Sequence, residues 1–187
     1  MSVMEVYRVD SNGDCVPLVK LRNSWLGASF VWTQVGNRYL GEYDFEKEYA
    51  LYVAGGRQGK FDHTGWVRAW ALQHDPRVAE WDWATLVSTF DWCVLPAEHL
   101  GYLSRQYRLF HEAHLAHGTS HYRSLAAVFS ELLPEGTRGV CFNATSVNEN
   151  PWWVRDLDPD QEGRPYNIDL DTKHWLFDPL KRPVTNT

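Results

Sequence analysis

The sequence predicts an α+β fold: an N-terminal β-hairpin and a small, mainly antiparallel sheet packed against several helices, including a long helical hairpin at about 97–133. Three observations carry this. Residues 4–9 (MEVYRV) alternate and lead into an Asn12-Gly13 turn, the signal of a hairpin. Leu100, Leu103, Tyr107 and Phe110 then recur at helical spacing, and Tyr122, Leu125, Ala126, Phe129, Leu132 and Leu133 repeat the pattern after Gly118. Finally, a short apolar run, Val140-Cys141-Phe142, begins just after the Pro134-Glu135-Gly136 turn, as a buried strand would.

Taken in order, the return strand of the hairpin runs from Cys15 to Leu21, and Pro17 within it predicts an edge position, because proline cannot donate to a ladder. Asn23 or Ser24 can cap a helix whose apolar stripe is Trp25, Ala28, Trp32, Val35 and Tyr39. A shorter helix is expected over 44–54, stopped by Gly55-Gly56. The loop at 54–60 (AGGRQGK) falls short of a phosphate-binding P-loop, since Ala54 stands at the first glycine position and Phe61 where Ser or Thr would hold magnesium. Two helices follow around Trp66 and Trp70 and around Trp81 and Trp83, the first ending before Pro76. Trp66 and Trp70 lie four apart and share a helical face, a spacing that favours a core role. The longest helix spans 97–117, and its partner is capped by Thr119 or Ser120. Beyond Trp153 the chain is acidic and proline-punctuated, with strands expected at 166–170 and 174–177 and a tail from Leu180. Asp156, Asp158 and Asp160 alternate like a calcium loop, but Gln161 stands where that loop needs glycine.

The 187 residues suit one domain, with a possible subdivision into 1–60, 61–135 and 136–187. The net charge of −6, with no run of Lys or Arg longer than a pair, makes direct nucleic-acid binding unfavourable. Three widely spaced cysteines, Cys15, Cys93 and Cys141, argue for reduced thiols and a cytoplasmic location. No leader-like segment is read at the N-terminus, and no run is long enough to cross a bilayer. Ten tryptophans are too many to enclose entirely, so some should form an aromatic interaction surface.

Candidate chemistry concentrates in two places. His111, His114 and His117 repeat every three residues along one helix, a weak candidate set for zinc or another divalent metal; proven zinc helices space their histidines four apart, and no cofactor is predicted. Glu112 stands one residue away from a metalloprotease pattern. The second place is the polar segment after Phe142. Alternation puts Cys141, Asn143 and Thr145 on one face of the strand, and Asn143, Thr145, Asn148, Asn150, Trp152 and Trp153 form a candidate binding set. His114, His117, Cys141 and Asn143 are candidate catalytic residues should thiol and imidazole meet. Two functions follow. The first is an acidic, tryptophan-rich protein that binds and modulates a basic protein partner, such as a phage or bacterial-conflict inhibitor of a nucleic-acid-handling complex. The alternative is a small hydrolase or transferase built on the histidines and the Cys141–Asn150 loop. Both lean on the histidine end of the helical hairpin and the Asn-rich segment forming one polar-aromatic surface, and neither stands if the two lie at opposite ends with Trp152 and Trp153 both enclosed.

Overall fold

A computed structural model of the chain describes residues 3–22, 28–41, 54, 64–114, 120–131, 133–143, 150–155 and 163–184. Within them the fold is α+β, a five-stranded sheet with helices against one face and a two-stranded ribbon beyond the other. Strands β1 (Val3–Val9) and β2 (Cys15–Arg22) form the N-terminal hairpin. Gly13 takes φ +86 in its turn, a conformation that glycine adopts without steric cost. β2 is an edge strand, as Pro17 requires. Val6 faces Val19 and Tyr7 faces Pro17, so Leu18 is an extra residue and the strand is bulged there.

The sheet order is β2-β1-β4-β3-β7, with β3 Cys93–Pro96, β4 Gly139–Asn143 and β7 Trp175–Leu176. Every pairing is antiparallel except β3 with β7, so the sheet is mixed. Strand β3 was not anticipated. Only four residues long and buried almost throughout, it shows no polar alternation to read. The strand expected at 166–170 is instead a turn. Asn167 Oδ1 accepts the backbone N–H groups of Asp169 and Leu170 at 2.9 and 3.2 Å, which curls the chain away from extension. The ribbon is β5 (Trp153–Val154) with β6 (Arg164–Pro165).

The helices are α1 (Ala28–Leu40), α2 (Thr64–Ala71), α3 (Glu80–Ser88), α4 (Leu100–Ala113) and α5 (Ser120–Glu131). The α4 seam is as expected: Leu100, Leu103, Tyr107 and Phe110 are all buried. Its antiparallel packing on α5 is fixed by Tyr107 and Phe110 against Tyr122, and by Ser104 Oγ donating to Ala126 O at 2.9 Å. Each such apolar side chain contributes about 1.5–3 kcal/mol by leaving water. Helix α3 is buried from Asp82 through Ser88 and lies beneath α1 and α4. Trp70 departs from the core expectation, remaining 43% exposed with its ring edge against Phe90. Nor is the C-terminal stretch a free tail as far as Val184. Leu180 and Val184 are exposed, but Arg182 between them is anchored, its Nη2 donating to Val78 O at 3.1 Å. The expected helix at 44–54, the 54–60 loop (Ala54 apart) and the Asp156–Asp160 loop lie outside the described residues.

Strand alternation sorts the sheet into two faces. Met4, Val6, Cys93, Leu95, Val140 and Phe142 join the helix-covered core, whereas Tyr7, Val9, Val94 and Cys141 pack with Cys15, Trp152 and Tyr166 on the other side. No helix among the described residues is long and apolar enough to cross a membrane.

Candidate binding cleft

On the face away from the helices, the chain after β4 folds back and leaves a cleft of about 740 Å³. Its walls come from three distant stretches: Trp92 at the entry to β3, Asn150 to Arg155 around β5, and Tyr166 with Leu170 to Lys173 before β7. The size is that of a ligand or side-chain binding site.

The middle wall is held by a chain of hydrogen bonds rooted in the sheet. Lys20 pairs with Glu5 at 2.6 Å, Tyr7 Oη donates to Glu5 Oε2 at 2.7 Å, and Asn150 Nδ2 donates to Tyr7 Oη at 2.7 Å. The Lys20 ammonium and the Tyr7 hydroxyl hold the Glu5 carboxyl below its ordinary range, whereas burial and the Glu5 carboxylate push the Tyr7 phenol well up, so this pair stays one anion and one donor at neutral pH. Asn150 Oδ1 then accepts from Trp152 N at 2.9 Å, and Trp152 Nε1 donates to Phe142 O at 2.7 Å. Trp152 is thereby sealed in the core at 0% exposure, with its neighbour Trp153 turned outward at 44%. A side chain at Gly163 would collide with Trp153 Nε1, so the ring lies directly over that glycine.

The outer wall is pinned to the hairpin turn. Ile168 N donates to Gly13 O at 2.9 Å, Asn167 Nδ2 to Asp14 Oδ1 at 2.8 Å, and Arg138 pairs with Asp169 through both guanidinium nitrogens at 2.6 and 2.9 Å. Asp171 accepts Arg164 at 2.8 and 2.7 Å and the Asn167 N–H at 2.8 Å, and Arg164 holds its carboxyl below the ordinary range. Trp92 has φ +66, the one non-glycine residue in the left-handed region among the described residues. That conformation is costly for a bulky side chain and persists where packing over-determines it. Here the Trp92 ring packs on Trp152 and Tyr166, and the Lys173 ammonium stands 5.5 Å above it.

The residues singled out from sequence are dispersed. Asn150 and Trp153 line the cleft, and Trp152 lies buried behind it. Asn143 is 7% exposed at the end of β4, with its side chain against Glu5 and its Oδ1 lacking a partner. Thr145, Asn148 and His117 lie outside the described residues. Cys141 is fully enclosed, its Sγ 3.7 Å from Cys15 Sγ, and burial pushes its thiol well above the ordinary value, which leaves it inert as a nucleophile.

His114 belongs to the opposite side. Its Nε2 lies 3.0 Å from Asp82 Oδ1, and Asp82, wholly buried, also accepts Arg38 Nη1 at 3.1 Å and Tyr39 Oη at 2.9 Å. This knot ties α1, α3 and the end of α4 together. Among the described residues, the His114 imidazole and the Cys141 thiol thus lie on opposite sides of the sheet. His111 instead lines a groove of about 520 Å³ with Arg108 and Glu112 of α4 and Arg123, Ala127 and Glu131 of α5. Among the described residues no three His, Cys, Asp or Glu side chains converge as a metal site.

Trp92, Arg155, Tyr166, Asp171 and Lys173 of the cleft were not foreseen. Only the abrupt change from Asp91-Trp92 to the apolar Cys93-Val94-Leu95 hinted at a strand entry. No protein-family model, curated protein sequence or solved structure matches this chain.

Proposed function

We propose that the chain binds a protein partner and modulates it by occupying its surface, with the cleft between Trp92, Asn150 and Trp153 as the anchor point. The single observation that carries this reading is the half-exposed Trp153 indole, held over Gly163 in the lining of a cleft that also takes in the left-handed Trp92. Half-exposed aromatic rings on a hydrogen-bonded frame supply contact area at little ordering cost. The net charge of −6 favours a partner whose surface is basic overall, as in a protein that handles nucleic acid, and an inhibitor from phage or bacterial conflict would have this character.

The test is stoichiometric capture of a partner by the full chain in its host lysate, repeated with Trp153→Ala and with Leu109→Ala, an exposed site in α4 on the helical side of the sheet. Loss of the complex with the first variant and retention with the second is expected. Equal capture by both variants would remove the cleft from the function.

The alternative, a hydrolase or transferase, is favoured by one observation, the imidazole of His114 oriented by Asp82. Turnover of ester or phosphoester substrates that disappears in His114→Gln and survives in Trp153→Ala would move the function to the helical side.

A further inference from the structure

The walls of the cleft also bear on the chemistry of what enters it. Among the described residues, Lys173 faces the cleft with no carboxylate paired to it. The nearest acid in the wall, Asp171, is already engaged by the two Arg164 nitrogens and by the Asn167 N–H. The position of the ammonium is not casual. Lys173 N donates to Tyr166 Oη at 2.9 Å, and two residues on Trp175 N donates to Trp92 O at 2.9 Å. The backbone that carries the side chain is therefore fastened to the Tyr166 hydroxyl on one side and to the Trp92 main chain on the other.

Resting on the binding role argued above, we infer that the cleft seats a partner segment in which an aromatic side chain stands next to a carboxylate, the ring against Trp153 and Pro151 and the carboxylate on the Lys173 ammonium. Indole and proline faces offer flat apolar surface to a ring. Lys173 is exposed, so a carboxylate seated beside the aromatic walls gains from its ammonium what a surface ion pair gains, enough for a measurable preference rather than a large one. A cationic side chain in the same position would meet an uncompensated like charge. This local preference is compatible with a basic partner, because net charge acts at the range of diffusion whereas Lys173 acts only in contact.

The experiment is a titration of the ¹⁵N-labelled full chain with three acetylated, amidated tetrapeptides, Ser-Trp-Glu-Gly and its Gln and Lys counterparts, following the indole N–H signals of Trp92 and Trp153. The Glu peptide should move both signals saturably and bind about two- to fivefold more tightly than the Gln peptide, with the Lys peptide weakest, the range expected for one exposed charge pair. Lys173→Gln should erase the Glu-over-Gln preference, Lys173→Arg should retain it, and unchanged melting of both variants would exclude unfolding as the cause. A Lys peptide that binds as well as the Glu peptide, or a preference that survives Lys173→Gln, would overturn the charge assignment and leave the cleft standing as a binding site. If no peptide moves either indole, both the inference and the binding role of the cleft are overturned.

Discussion

Asn150 bonds in two directions with one amide, its Nδ2 donating to Tyr7 Oη and its Oδ1 accepting the Trp152 N–H, and so transmits the geometry of β1 to the cleft. Replacing it with Ala leaves the buried Tyr7 hydroxyl without a donor and should cost about 1–3 kcal/mol in urea denaturation while loosening Trp153. Cys141 is the opposite case, a residue whose chemistry is silenced by its place. Alkylation of the native protein by iodoacetamide at neutral pH should leave Cys15, Cys93 and Cys141 intact and proceed at the rate of unfolding, since all three are buried. Fast stoichiometric labelling of Cys141 would contradict its enclosure. Asp171 sets an acid limit. Arg164 lowers its carboxyl in the folded state relative to the unfolded chain, so the folded state binds fewer protons and stability rises with pH through that range. The contribution is fully present above the ordinary carboxylate range and is lost as pH falls through the depressed folded value. Asp171→Asn should flatten the acid limb of a denaturation midpoint measured from neutral pH downward.

At the scale of elements, what periodicity could reveal was legible and what depended on distant contacts was not. The α4 and α5 seams could be read because each needs only a neighbouring helix to cover it, and the hairpin because its turn is local. Strand β3 escaped because burial on both faces erases alternation, and 166–170 was misread because Asn167 bonds with its own turn and with the hairpin loop. Leu103→Ala in the α4 seam should cost about 2–5 kcal/mol, a void the tight hairpin cannot refill. Gly13→Ala tests the clamp between the hairpin turn and the outer wall. A methyl there would stand 2.6 Å from Asp169 Oδ2 on a backbone at φ +86. The loss should be about 1–3 kcal/mol, accompanied by faster amide exchange at Ile168 than at the α4 core.

The whole molecule is a sheet with two unlike sides, and this division explains why the candidate site was only partly foreseen. Alternation along β4 correctly separated Cys141 and Asn143 from Val140 and Phe142, yet no spacing in the sequence tells which side the histidines will occupy. The tertiary path settled it, placing His114 with Asp82 among the helices and bringing Lys173, far along the chain, to Trp92. For a molecule of net charge −6, association with a basic partner should slow by roughly tenfold as salt rises from low to above physiological strength, with dissociation changing less, as stopped-flow mixing would show. The strand order has a further consequence for biosynthesis. The second neighbour of β1 is β4, which the ribosome reaches only after most of the chain has emerged. At ordinary elongation rates the N-terminal hairpin must wait on the order of ten seconds or longer for that neighbour, its apolar flanks bare meanwhile, which marks this interval as the moment when a nascent chain most needs a chaperone.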